Sequence, residues 1–309
     1  MAEVCILLAT YNGSSYIRQQ VDSLLAQTYG DFHLILSDDG SKDNTPELLE
    51  DYARTYPEKI THYRSGRRFG CAQDHFMHLL EQFRDSPYIM FCDQDDFWHA
   101  DKIEKTMEVM RRIEQPGIPA MVHTDLRVVD GELKEMDGSF MRFSKLCGTR
   151  LALHQLLVQN AVTGCTMMLN KALADLACEH MPGQRVLMHD WWLALLASAC
   201  GQTGFVPEAT IDYRQHGNNS VGAKSVYSPS YLLGRLRSKQ MRGALADAAA
   251  QAELFLQCYS EQLSPRDRQL VAAFASTKDA SLFRRDAVYL RHGLLKYGSV
   301  RILAQLLGW

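Results

Sequence analysis

Apolar residues in the first hundred positions come as short continuous runs separated by helical patterns. EVCILLAT, FHLILSD, THY with its neighbours in KITHYRS, and YIMFC are compact runs of the kind that form strands covered on both faces. Between the first two, SYIRQQVDSLLAQTY places Ile17, Val21, Leu24 and Leu25 on one helical face. DNTPELLEDYARTY predicts a second helix, with Thr45 as its cap and Pro46 at its first position. CAQDHFMHLLEQF predicts a third. The resulting βαβαβαβ order calls for an α/β fold, a Rossmann-like and mostly parallel sheet flanked by helices. Further on, AMVHTDLRVVD, VTGCTMMLN and FVPEATIDYR predict strands, and HDWWLALLASACG a helix with Gly201 near its end. After Pro229 only helical patterns remain. The division expected is a catalytic domain over 1–228, its halves meeting near 100/101, and a helical C-terminal extension over 229–309.

Strands of such a sheet deliver ligands to the crevice beyond their carboxyl ends. Three of those ends read ATYNG, SDDGS and DQDDF, and a parallel arrangement gathers them at one edge. The last is the most demanding. In YIMFCDQDDFWHADK, Asp93, Asp95 and Asp96 follow directly on an apolar run. Like charges held close need a compensating cation, and carboxylates suit a hard divalent one. Neither a GxGxxG fingerprint nor a Walker A loop stands in the first turn, where ATYNGSSY has a single glycine. A nucleotide would have to be held in another way.

Composition narrows the classes. The chain has 309 residues, 46% of them hydrophobic and 22% charged, enough for a substantial core and too apolar for global disorder. Its formal charge of −3 argues against a broad nucleic-acid-binding surface. The charge is uneven: Tyr231–Trp309 holds 12 Lys/Arg and 6 Asp/Glu, net +6, which leaves −9 on the first 230 residues. None of the eight cysteines forms a CxxC pair, and most stand in apolar runs, which predicts free thiols in a reducing compartment and no structural zinc. The first residues, MAEVCILLATYNG, lack the basic start of a signal peptide, and no run of apolar residues is long enough to span a bilayer.

Taken together, ATYNG, LLAQTY, LILSDDGSKDNT, FCDQDD, GCTMMLN, MHDWW and YRQHGNNSVGA resemble the inverting glycosyltransferases of family 2, which have the GT-A fold. Within that family, FCDQDDFW, VHTDL, TGCTMMLN, MHDWWLAL and YRQHG are similar to bacterial rhamnosyltransferases, which use dTDP-L-rhamnose to build cell-surface polysaccharide. The resemblance implies a nucleotide-sugar donor, a glycan or lipid-linked glycan acceptor, Mg²⁺ or Mn²⁺ as cofactor, and a bacterial cytoplasmic enzyme working at the inner face of the plasma membrane. It assigns the donor edge to Ala9, Thr10 and Tyr11, the base contact to Asp39, the ribose to Asp93, the metal to Asp95 and His216, and the general base to Asp190. Asp38 would orient its loop.

Other residues are candidates on position alone. Arg68 follows a strand and could meet the base or a phosphate. Asp96, Asp125, Trp191 and Trp192 are candidate substrate contacts, with an aromatic face suited to a sugar. Each has a plainer alternative: Asp39 and Asp190 are good turn and helix caps, one of the tryptophans could be core, and Arg68 could be solvated. A UDP-hexose or UDP-N-acetylhexosamine donor is the alternative activity. A non-catalytic carbohydrate-binding descendant would be expected to have lost Asp39, Asp95 or Asp190, and all three are present. The basic tail, with Leu294, Leu295, Val300, Ile302, Leu303, Leu306, Leu307 and Trp309 among its cations, suits a membrane surface, a second subunit, or packing on the catalytic domain.

Overall fold

The computed structural model describes residues 2–182, 186–215 and 240–307. His216, Trp309 and the boundary expected at 228/229 lie outside them. Four strands, β1 (Val4–Thr10), β2 (Phe32–Asp38), β3 (Ile60–Tyr63) and β4 (Tyr88–Cys92), alternate with α1 (Ile17–Leu25), α2 (Thr45–Thr55) and α3 (Ala72–Phe83). They run parallel in the order β3-β2-β1-β4, as helical crossovers require. Beyond β4 the sheet is mixed. The short β5 (Phe97–Trp98) and α4 (Lys102–Ile113) lead to β6 (Ala120–Val129), β7 (Glu135–Asp137) and the single turns α5 (Phe140–Phe143) and α6 (Leu153–Leu156). There follow β8 (Met168–Asn170), α7 (Lys171–Glu179), α8 (His189–Cys200) and β9 (Gln202–Arg214). β8 lies antiparallel between β4 and β6, while β6 and β9 are parallel. The full order is β3-β2-β1-β4-β8-β6-β9-β5.

Each face of the sheet has its own core. On one, Ile17, Val21 and Leu24 of α1 and Ile103, Met107 and Met110 of α4 cover Ile6, Leu8, Leu34 and Met90. On the other, α3, α7 and α8 cover Leu7, Phe91 and Leu169, and the C-terminal helices join them. These are α9 (Gln240–Tyr259), α10 (Pro265–Ala275), α11 (Leu282–His292) and α12 (Ser299–Leu306). Leu245, Ala249 and Phe255 of α9 belong to the same continuous cluster as Leu193 and Leu196 of α8. Part of the tail is thus packed on the body by burial of apolar surface. The spacing of α4 was as regular as that of α1, but its high charge hid the pattern. Thr45 is not a cap: it is the first helical residue, and its hydroxyl donates to Asp43 while accepting the Gly13 N–H.

Candidate active site

The register of the parallel strands sets the site. Thr10 pairs with Asp38 and Leu8 with Cys92, so the polar ends of β1, β2 and β4 open on one crevice. A cavity of about 940 Å³ lies there. Ala9, Thr10, Tyr11, Asp39, Arg68, Asp93, Asp95, Asp190 and Trp191 all line it. The same size range holds most small-ligand sites.

Its donor-side wall is built from hydrogen bonds. Gln94 reaches across from the β4 end, its Oε1 accepting the Tyr11 N–H at 2.8 Å and its Nε2 donating to the Tyr11 carbonyl. Gly13 makes room for this: a Cβ there would stand 2.3 Å from Gln94 Oε1. Arg68 lies over the Tyr11 ring at 5.6 Å and donates to its hydroxyl, a flat cationic-aromatic pair at the rim. Asp38 orients its loop as expected, accepting the Gly40 and Ser41 N–H groups. Asp39 uses both carboxylate oxygens to hold the N–H groups of Phe69 and Gly70, fixing the loop that carries Arg68.

At the acidic end the carboxylates crowd together. Asp93 is raised by burial, then by Asp95 and Asp190, so like charges converge on the cavity. Asp93, Asp96 and Cys165 each offer a ligand atom, all within 4.8 Å of one another. Asp96, however, is fully buried behind the cavity wall, one oxygen accepting the Arg214 N–H. A thiol suits Mg²⁺ or Mn²⁺ poorly. Of the three strand-end acids, Asp93 and Asp95 line the cavity and have the oxygen donors that fit a hard divalent cation.

Asp190 stands in the first turn of α8. Its Oδ2 accepts the Gly164 N–H at 3.0 Å and its Oδ1 the Asn160 side-chain N–H at 3.1 Å. Burial still outweighs these bonds and pushes its carboxyl up to about 7. Gly164 is required by contact: a Cβ would lie 2.6 Å from His189 Nε2. His189, also on the cavity wall, is driven down to about 3 by burial, so it is neutral at working pH.

Residues 5–176 match the Glycosyl transferase family 2 profile. The chain belongs to that family. It is 29% identical over 244 residues to the dTDP-rhamnosyl transferase RfbG of Shigella flexneri, covering 76% of this chain and 81% of that protein. In fold it is similar to TarS 1-349 of S. aureus in complex with UDP-GlcNAc (TM-score 0.57, 14% identity, 95% of this chain and 93% of that one). It is also similar to the mannosyltransferase PcManGT of Pyrobaculum calidifontis in complex with GDP-Man and Mn²⁺ (TM-score 0.54, 18% identity, 99% and 85%). The architecture is GT-A, and the chain is a glycosyltransferase close to the rhamnosyltransferases.

Three expected substrate contacts do not reach this glycosyltransferase's cavity. Asp96 is sealed beneath it. Asp125 is buried and serves as a local cap, accepting from Leu126 N–H, Met141 N–H and the Ser139 hydroxyl. Trp192 is fully buried against Phe255 and Tyr259 of α9, while its neighbour Trp191 does line the cavity and donates to the Leu156 carbonyl. One helical step, about 100°, separates their faces. His123 is core, bonded to the Gly148 carbonyl.

Two further cations, Lys102 and Arg214, support the acidic end. Lys102 is fully buried, lies over Trp98 at 4.5 Å, and is lowered to about 8 by burial against the pull of Cys165, Cys92 and Asp96. It sets a positive charge beneath the acidic strand end. Arg214 ends β9, donating from Nε to the Asp95 carbonyl, from Nη1 to the Gly131 carbonyl and from Nη2 to Gln19. It braces the acidic loop through its backbone. The signal for it was present in YRQHG, a motif from which only His216 was singled out.

Proposed function

We propose that the protein transfers L-rhamnose from dTDP-L-rhamnose, with inversion, to a cell-surface polysaccharide or its lipid-linked precursor. Similarity to RfbG over most of both chains supports the donor. The observation that carries the chemistry is the convergence of Asp93, Asp95 and Asp190 on one cavity beside the β1 and β2 ends.

In this reading the base lies along Ala9–Tyr11 near Arg68, on a loop that Asp39 pins. Asp93 faces the ribose. Asp95 would hold Mg²⁺ or Mn²⁺, with His216 as a further ligand. When bound, the cation offsets charge growing on the departing diphosphate. Asp190 accepts the proton of the acceptor hydroxyl, which approaches the sugar from the face opposite the leaving group. Its raised basicity suits that task, since a base with a carboxyl near neutrality still ionises at working pH and holds the proton it takes. Gly164 and Asn160 fix its orientation. Trp191 offers an aromatic wall to the acceptor side.

A donor screen tests this. Turnover is measured with dTDP-rhamnose, UDP-glucose, UDP-galactose and UDP-GlcNAc, each with Mg²⁺, Mn²⁺ or EDTA. Turnover with dTDP-rhamnose that stops in EDTA is expected. Preference for a UDP-sugar would replace the rhamnose reading with the hexose or N-acetylhexosamine one, and full rate in EDTA would remove the metal from Asp95.

A further inference from the structure

The C-terminal helices are only partly used by the core. On α11, Phe283 is 88% exposed and Leu290 60%; on α12, Val300 is 69% and Leu303 57%. Phe283 and Leu290 are seven residues apart and so share a helix face, as do Val300, Leu303 and Leu307. Beside the α11 stripe runs a cationic one at the same spacing, Arg284 and Arg291, both exposed. Between Arg284 and Arg301 there are five Lys/Arg and one acid, Asp286.

Arg291 also belongs to a second cavity, of about 410 Å³, lined by His154, Arg266, Gln269, Leu270, Arg291, His292 and Gly293. Among the described residues, no acid lines it. The two arginines come from different helices and His154 from the body, so the cleft marks where the tail seats on the catalytic part. His154 is lowered by burial and then by Arg150 and Arg266, the sign of a positive potential around it. Other arginines of this region have structural duties. Arg150 donates to the Leu295 carbonyl, Arg285 to the Gln305 carbonyl, and Arg301 to the Ser144 and Lys145 carbonyls.

The geometry points to an anionic phospholipid bilayer as the occupant of this surface, with a lipid phosphate in the His154–Arg266–Arg291–His292 cleft and Phe283 and Leu290 in the interface beside it. An apolar stripe flanked by arginines is the pattern of a helix lying in a membrane interface. A second copy fits less well. A two-fold interface repeats the same patch on both subunits, which would set this cationic surface against itself. The surface is also joined to the active cavity. The Tyr297 N–H donates to Gln159, whose neighbour Asn160 holds Asp190. Arg301 grips the carbonyls just before Leu146, which lines the cavity. Docking here brings the acceptor flank of the site to the membrane.

The test is flotation of the full chain with vesicles of phosphatidylcholine alone or with phosphatidylglycerol, at low and high salt. Binding is expected only with phosphatidylglycerol and only at low salt, with each of Arg266→Ala and Arg291→Ala weakening partition about fivefold. Phe283→Ser with Leu290→Ser should lower it further, while the thermal midpoint and donor hydrolysis stay unchanged. Donor hydrolysis is scored separately, so failure of the rhamnose reading leaves this result legible. Equal binding to phosphatidylcholine, or none to either vesicle, overturns the proposal. So does stabilisation by inorganic phosphate without vesicle binding, which would make the cleft a site for a soluble anion. A dimer by light scattering that the Phe283/Leu290 variant splits, again without vesicle binding, would give the face to a second copy.

Discussion

The β2 end and the acidic end of the cavity treat their carboxylates differently. At the β2 end, Asp39 commits both oxygens to backbone N–H groups, and Asp38 commits one to backbone N–H groups and the other to the Thr10 and Ser41 hydroxyls. Asp125, at the far end of the sheet, does the same. Asp190 also accepts two hydrogen bonds, but burial prevails over them and its carboxyl is raised. Asp93 is raised as well, with Asp95 and Asp190 adding to burial. An acid that saturates its lone pairs locally fixes a loop. One that is desolvated and faces other acids across a cavity is poised for chemistry.

Asp190→Asn gives the largest effect expected from this contrast. It should lower transfer by about 10²–10⁴-fold while donor affinity and folding persist, because the amide still accepts from Gly164 but takes no proton. Single-turnover transfer alongside donor calorimetry checks it; near-normal transfer at saturating substrates would erase the distinction between the two sides.

Trp192→Ala probes fold in place of chemistry. Loss of a buried indole between α8 and α9 should cost about 3–5 kcal/mol. Denaturant melts measure this. A change confined to acceptor KM, with stability intact, would instead return Trp192 to the sugar site.

Asp125→Ala leaves buried N–H groups of Leu126 and Met141 without an acceptor, at roughly 1–3 kcal/mol. The expected signature is a lower melting temperature with unchanged kcat per folded molecule. A selective loss of kcat would make Asp125 chemical after all.

The mildest test is pH. A base must be ionised, and Asp190 protonates as pH falls through about 7, so kcat should drop on the acid side of that value. The linkage has the opposite sense for stability. Its folded pKa lies above the unfolded value, so this group's contribution to stability declines as pH rises from about 4 towards 7. Asp190→Asn should make the measured slope shallower, and Asp93, also raised to about 7, keeps its own share of it. A kcat that stays flat down to pH 5, under conditions where transfer itself limits the rate, would contradict the assignment.

How far the sequence could be read varied along the chain. The strand ends carrying Tyr11, Asp39 and Asp93 were legible because parallel strands deliver whatever closes their apolar runs to one crevice, and here polar clusters close them. Asp190 came from resemblance, as did the division of roles between Asp93 and Asp95. Asp96 and Asp125 have the same local look as Asp93, and nothing in their neighbours says that one is sealed and another is a cap. Lys102 resembles any helix-start lysine until α4 is laid under the acidic loop.

Periodicity by itself determined the layered βα order, because short-range backbone geometry and the need to cover both faces of a parallel strand are local constraints. The split of the sequence into an acidic body and a basic tail was likewise fixed by composition. Only the tertiary structure decided which acids share a cavity, which tryptophan of Trp191 and Trp192 becomes core, and which arginines of the tail brace backbone carbonyls and which line the outer cleft. Those outcomes depend on long-range packing: burial and the loss of hydration are set by residues far along the chain, as Phe255 does for Trp192 and Arg214 for Asp96.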